Sequence, residues 1–246
     1  MKFKHVYNES CINTMKEMPE NFVNLTLTSP PYDDLRKKSY QGTHETLWKR
    51  IIKSLYRVTK EKGTVVWVVN DGRQKDGGLS GTSFKQCLHA MECGFLYREY
   101  IVYEKNSCGF PAQVGKNLHS DFREHVFVWS KGAPAKGQHN IIADRRKKYK
   151  SRWPDSPRFG VRSNIWRYNT SSGNPTNHPA VFPKRLAEDV IRTFSNQGEI
   201  VYDPMVGGGT TIIVAEDLNR QWIASEMNKE FCNKLESILN FKIERR

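Results

Sequence analysis

Gly198-Glu199-Ile200-Val201-Tyr202-Asp203-Pro204-Met205-Val206-Gly207-Gly208-Gly209-Thr210-Thr211 runs from an apolar, β-branched stretch into a glycine-rich turn. The spacing predicts a strand over 198–202 and a helix over 212–218, with the turn between them. Such a turn lets a ligand approach the backbone closely and aims helix N–H groups at anionic atoms. Asn219-Arg220 ends the helix, and Trp222-Ile223-Ala224-Ser225-Glu226 reads as the next strand, with an acid at its tip. An acid about twenty residues beyond a glycine loop is placed for ribose hydroxyls.

Upstream, the same alternation of strands and helices recurs. Phe3 to Tyr7 reads as a strand, and 11–18 as a helix that Ser10 caps and Pro19 closes. Glu9 stands at the end of that first strand. A carboxylate placed at a helix N-terminus for its dipole accounts for Glu9 as well as a ligand role does. Leu47, Trp48, Ile51, Ile52, Leu55 and Val58 fall at helical spacing, and after Lys62-Gly63 the run Thr64 to Val69 predicts a buried strand. A helix is expected over 83–91, strands over 97–104 and 124–129, and a helix from Pro183 to Phe194. A last helix, from 229 to about 242, is expected to pack on the sheet beside the first strand.

A second stretch punctuates the chain. The alternating run Val23-Asn24-Leu25-Thr26-Leu27 predicts a strand, and Thr28-Ser29-Pro30-Pro31-Tyr32 stops it. Each proline fixes φ and lacks an N–H, so the chain leaves the strand extended. The Pro30 carbonyl then stands beside the Ser29 hydroxyl and the Tyr32 ring. Two acceptors and an aromatic face suit a flat base bearing an amino group.

With 246 residues the chain can bury a full core, and a single domain over 1–246 is expected. The formal net charge of +13 and pI near 9.5 point to a polyanion, with nucleic acid the usual one and an anionic membrane surface the other. No apolar run is long enough to span a bilayer and the N-terminus lacks a signal-peptide core, so a cytoplasmic, nucleoid-associated protein that does not touch membranes is expected. Residues 136–167 hold ten lysines or arginines against two acids, a local excess of +8, interleaved with Tyr149, Trp153, Phe159, Trp166 and Tyr168. Phosphate neutralisation plus stacking asks for that mixture. The five cysteines, at 11, 87, 93, 108 and 232, form no CxxC pair, so neither a zinc site nor a disulfide framework is indicated and no metal is expected.

The two punctuated stretches carry a resemblance. Ser29-Pro30-Pro31-Tyr32 resembles the catalytic motif of the amino-group DNA methyltransferases, whose serine form most often methylates the N4 amine of cytosine. Dehydrogenases share the acid-beyond-glycine geometry, which alone does not separate NAD from S-adenosylmethionine. The 203–211 loop, however, is not GxGxxG; it is similar to the Asp-Pro-Phe-x-Gly-x-Gly-Thr-Thr motif of the β class of these enzymes, with Met205 where phenylalanine is usual. Their order, catalytic motif first and cofactor loop about 170 residues later, is the permuted arrangement of that class, and a thiol-based cytosine-C5 enzyme is disfavoured because no Pro-Cys occurs.

The resemblance implies an α/β, Rossmann-like, S-adenosylmethionine-dependent methyltransferase fold. Its sheet would be mixed, mostly parallel and seven-stranded, with a target-recognition insertion at roughly 105–170. By the same resemblance, Ser29, Pro30, Pro31 and Tyr32 are catalytic. Glu9, Thr28, Phe182, Asp203, Pro204, Met205, Gly207, Gly209, Thr210, Thr211, Glu226 and Met227 would surround the cofactor: Asp203 on the methionine ammonium, Glu226 on the ribose, Gly207 and Gly209 allowing close approach. Arg36, Lys37 and Lys38 on a charged loop, and Arg145, Arg146, Lys147, Lys148, Lys150, Arg152 and Trp153 in the basic stretch, are the expected DNA contacts.

The implied partners are double-stranded DNA and, in a restriction-modification system, a cognate restriction endonuclease; the chain would act as a monomer or homodimer. Cytosine N4 is the first reading of the target and adenine N6 the alternative. Methylation of RNA or of a protein amide is a further enzymatic reading. A non-catalytic DNA-binding protein on the same scaffold is the reading from another class, and calorimetry without S-adenosylmethionine binding would favour it.

Overall fold

The computed structural model describes residues 1–31, 44–72, 74, 78–106, 121–134, 163–169 and 181–244, the last five of these as backbone only. Eight strands and six helices follow one another among the described residues. They are β1 (His5–Tyr7), α1 (Cys11–Glu17), β2 (Val23–Thr28), α2 (Glu45–Val58), β3 (Thr59–Val69), α3 (Thr82–Glu92), β4 (Leu96–Lys105), β5 (Arg123–Ser130), β6 (Ile165–Tyr168), α4 (Lys184–Phe194), β7 (Ile200–Asp203), α5 (Thr210–Asp217), β8 (Gln221–Ser225) and α6 (Lys229–Glu244).

The strands form one sheet in the order β1-β8-β7-β2-β3-β5-β4-β6. Among them β5 alone opposes its neighbours. Seven strands therefore deliver their C-terminal ends to the same edge. From β7 the chain winds outward through β8, and from β2 it winds the other way through β3, so the β7–β2 boundary is where the strand order diverges. Crevices of open α/β sheets form at such a point.

The central strands of the sheet, β2, β3, β5, β7 and β8, are buried on both faces. On one, Leu25, Leu27, Val66 and Val201 meet Leu186, Val190 and Ile191 of α4, Ile212 of α5 and Leu235 of α6. On the other, Val23, Val65, Trp67 and Tyr202 meet Met15 of α1, Ile51, Ile52 and Leu55 of α2, and Ala90 of α3. Burial on both faces explains why 64–69 reads as an unbroken apolar run instead of an alternating one. Ser10 caps α1 by accepting the Ile12 N–H, and Pro183 stands directly before α4, as expected for both.

One expectation fails: the sheet has eight strands, not seven. Ile165–Tyr168 pairs parallel with β4 and puts Trp166 and Tyr168 into the core, the Tyr168 hydroxyl donating to Asp189 of α4 at 2.7 Å. These two aromatics were expected to stack on nucleic acid from within the basic stretch. They instead follow a period-two burial pattern that four residues beside charged neighbours are too short to advertise. The rest of 136–162 lies outside the described residues.

Candidate active site

Asp203 ends β7 and is almost wholly buried, with 2% of its surface exposed. A carboxylate there must be hydrogen-bonded to remain tolerable. Thr28 Oγ1, at the end of β2, donates to its Oδ1 at 2.8 Å, the Met205 N–H donates to the same oxygen at 3.1 Å, and Thr211 Oγ1 donates to Oδ2 at 2.6 Å. Three of about four acceptor positions are thus taken, and Oδ2 retains one. Burial pushes the Asp203 carboxyl up to about 6, the nearby Glu226 adds to this, and the Thr211, Thr28 and Met205 donors pull the other way.

The Thr28 bond is the central observation, because it joins residues 175 positions apart in sequence. Parallel pairing of β2 with β7, Thr26 opposite Tyr202, places the two strand ends side by side. Ser29, Pro30 and Pro31 follow directly, so the Ser-Pro-Pro segment leaves the sheet at the tip of the aspartate's strand. Tyr32, the fourth member of the expected catalytic set, lies outside the described residues. So do the expected DNA contacts Arg36, Lys37, Lys38, Arg145, Arg146, Lys147, Lys148, Lys150, Arg152 and Trp153.

The glycine turn has its own geometry. Gly207 and Gly209 have φ of +46° and +82°, the left-handed region that favours glycine, and Gly209 sits immediately before Thr210, where α5 begins. A Cβ on Gly209 would lie 2.2 Å from Leu235 of α6, so one reason for this glycine is close packing of a helix on the turn. Pro204 is buried behind the turn, while Met205 is half-buried and packs on the core beside it. Phe182, just before α4, packs on the opposite cluster.

Glu226 follows β8 and clamps the turn. Its Oε2 accepts the Gly207 N–H at 3.0 Å and its Oε1 accepts the Asn228 N–H at 2.8 Å. Each oxygen keeps a second acceptor position, which is what a vicinal diol needs. Met227, beside it, is exposed. Glu9, at the end of β1, accepts from Thr14 Oγ1 at 2.9 Å; Ser225 Oγ donates to Thr14 Oγ1, also at 2.9 Å, and pairs with the Tyr202 hydroxyl. This buried hydroxyl chain fixes Glu9 from below. Asn8 went unassigned in the sequence, yet its Nδ2 donates to the Glu226 and Met227 carbonyls at 3.0 and 3.1 Å. Its position directly before Glu9 was the available signal.

Acidic strand tips, a glycine turn and a helix N-terminus therefore line one edge, next to the Ser-Pro-Pro segment. Residues 23–237 match the DNA methylase family. The chain belongs to that family.

Among relatives of the methylase is an orphan methyltransferase, M.BamHII of Bacillus amyloliquefaciens, 40% identical over 237 residues, which cover 86% of each chain. Type II methyltransferase M.HpaI of Haemophilus parainfluenzae is 27% identical over 90% of this chain and 69% of its own. The PvuII DNA methyltransferase (cytosine-N4-specific) shares the fold, with a TM-score of 0.74 at 22% identity over 95% of this chain and 88% of that one. A putative DNA modification methylase of Thermus thermophilus, solved with S-adenosyl-L-methionine, superposes with a TM-score of 0.65 at 23% identity over 94% of this chain and 91% of that one. The methylase acts on DNA, and none of its described helices is long and apolar enough to cross a membrane.

Proposed function

We propose that the methylase transfers a methyl group from S-adenosylmethionine to the N4 amine of a cytosine flipped out of duplex DNA. The Thr28–Asp203 hydrogen bond is the observation that supports this reading, since it ties the residue directly before Ser29 to the turn assigned to the donor. The residues present fit the donor. The Glu226 oxygens suit ribose hydroxyls, the exposed Met227 offers an apolar face to the adenine, and the remaining Oδ2 position of Asp203 suits an ammonium group. When bound, S-adenosylmethionine supplies an electrophilic methyl group on a sulfonium.

The chain's own task is to make a poor nucleophile competent. A ring-conjugated amine shares its lone pair, and acceptance of its two N–H bonds by the Ser29 hydroxyl and the Pro30 carbonyl favours a pyramidal nitrogen with the pair restored. Orientation and hydrogen bonding then supply most of the rate, the methylated nitrogen gives up one of its two protons to solvent, and no covalent enzyme intermediate is needed. Reaching the amine requires eversion of the base, at a cost of roughly a few kcal/mol, with the Tyr32 ring assigned to stack on it. Phosphate contacts are assigned to the basic stretch from Arg145 to Trp153.

The serine at position 29 and the cytosine-N4-specific enzyme among the structural relatives both support cytosine. Relatives named as type II methyltransferases support a role beside a restriction endonuclease. Nucleoside digestion of DNA methylated by the protein is expected to yield N4-methylcytosine. N6-methyladenine would overturn the base assignment, and the absence of any methylated nucleoside would overturn the catalytic reading.

A further inference from the structure

Strand β5 carries a buried histidine just before an apolar run, and nothing in the reaction uses it. His125 is 1% exposed, its ring stacked on Tyr100 and Phe127 and set edge-on to Phe84. Its Nε2 lies 2.8 Å from Arg123 Nη1 and its Nδ1 2.6 Å from the Tyr100 hydroxyl. Burial holds the ring below its usual pKa and the Arg123 charge adds to this, while Asp71, 3.8 Å away, and Asp121 pull the other way. The imidazole is therefore neutral. A guanidinium only donates, so Nε2 is the bare nitrogen that accepts from Arg123, and Nδ1 carries the proton that goes to the tyrosine oxygen. The neighbours thus fix the tautomer, and the ring serves as a buried acceptor behind a guanidinium.

Arg123 is held through its main chain as well. Its N–H donates to Asp121 Oδ1 at 3.1 Å and its carbonyl accepts from Asn70 Nδ2 at 3.0 Å. The side chain is nonetheless 40% exposed, and Asp121 stands 3.6 Å from Nε, too far for a hydrogen bond. A half-exposed ion pair of that length contributes little. The result is a guanidinium anchored from below, with donors turned to solvent.

Its place in the sheet says what those donors meet. β5 opposes its neighbours, so Arg123 begins it at the edge where the other strands end. Thr28 pairs with Trp67, and Val69 with His125; that register puts Arg123 one residue past the level of Pro31. Two strand spacings, about 10 Å, separate β5 from β2. That is about the span from the amino edge of a base to the phosphates flanking its sugar.

We propose that Arg123 binds a phosphate beside the everted nucleotide, and that His125 and Tyr100 are positioning residues that aim its guanidinium. The inference rests on the everted base lying at Ser29-Pro30. A planar fork matches two phosphate oxygens, and an arginine already held in place loses little freedom on binding them. Gripping the backbone there keeps the strand in register while its base leaves the stack.

Fluorescence anisotropy with duplexes of several sequences, over a range of salt, tests this. Arg123→Gln is expected to weaken binding about tenfold, to a similar degree on each duplex, and to lower the slope of log affinity against log salt by about 1. Undiminished affinity with an unchanged slope would overturn the proposal, and a loss confined to one sequence would overturn the phosphate assignment. Arg123→Lys should keep the slope; a slope lowered as far as in Arg123→Gln would count against a phosphate. His125→Phe retains the ring stack without the acceptor. It should weaken binding about threefold in the unaltered chain and not at all in Arg123→Gln, and equal losses in both would overturn the positioning role. Calorimetry with S-adenosylmethionine reports that each variant keeps its fold. Nucleoside digestion of DNA methylated by the unaltered chain tests the methyl-transfer reading separately.

Discussion

Two turns in the methylase are built alike and wired differently. After β3, Asp71 and a glycine-rich loop lead through Gly81, at φ +64°, into α3; after β7, Asp203 and a glycine-rich loop lead through Gly209, at φ +82°, into α5. Both aspartate side chains are buried. Asp71 takes its hydrogen bonds within its own turn, accepting the Ser83 N–H and Ser83 Oγ at 2.9 Å each, and faces the His125 ring of β5 at 3.8 Å. Asp203 reaches sideways to Thr28 on the neighbouring strand. The same strand-aspartate-glycine-helix device therefore anchors a helix beside His125 of β5 in one place. In the other it ties the turn proposed to hold the donor to the strand that runs into Ser29-Pro30-Pro31, and the topology makes the difference, because β7 borders β2 where the strand order diverges.

The comparison breaks most sharply at the aspartates. Asp203→Ala leaves the Thr28 and Thr211 hydroxyls and the Met205 N–H without their acceptor, and is expected to cost about 3–5 kcal/mol of stability and to abolish donor binding. Asp71→Ala should cost about 1–3 kcal/mol and leave donor affinity unchanged. Urea unfolding and calorimetry on the two variants measure both differences.

The glycines give the next largest contrast. Gly209→Ala combines a left-handed backbone with a collision against fully buried Leu235, for an expected loss of about 2–4 kcal/mol, part of which Leu235→Ala should return. A Cβ on Gly81 meets nothing within 4 Å, so Gly81→Ala should cost only the backbone strain, about 1 kcal/mol. Thermal unfolding of the pair and of the double variant reads this.

Acidity provides a gentler probe. The Asp203 carboxyl is raised above its usual value, so this group favours the fold most below about pH 4. That contribution is lost as pH rises through about 6, an ionisation cost on the order of 3 kcal/mol at neutral pH. Affinity for the cationic donor should run the opposite way, falling up to about tenfold per unit as pH drops below 6. Asp203→Asn should flatten that dependence, whereas Asp71→Asn should not.

What could be read from the sequence follows from how local each signal is. β2 with its two prolines, β7 with its glycine turn and α4 after Pro183 announce themselves within a dozen residues. β6 does not, since its four residues sit in a basic stretch and its partner β4 lies some sixty residues upstream. The packing role of Gly209 is equally non-local, because Leu235 lies against it from a helix that begins 20 residues later. Glu9 and Glu226 were visible as acids at strand ends. The hydroxyl chain through Thr14, Ser225 and Tyr202 that supports Glu9 joins three elements and left no local trace. The Thr28–Asp203 bond spans 175 positions, and only the sheet order makes it possible.

The most direct test of a base-activating Ser29 beside a separate donor turn is single-turnover methyl transfer to duplex DNA by Ser29→Ala, with donor affinity measured on the same preparation. A transfer rate reduced at least about a hundredfold with donor affinity unchanged is expected. An unaltered transfer rate, or equal losses in rate and donor affinity, would contradict it.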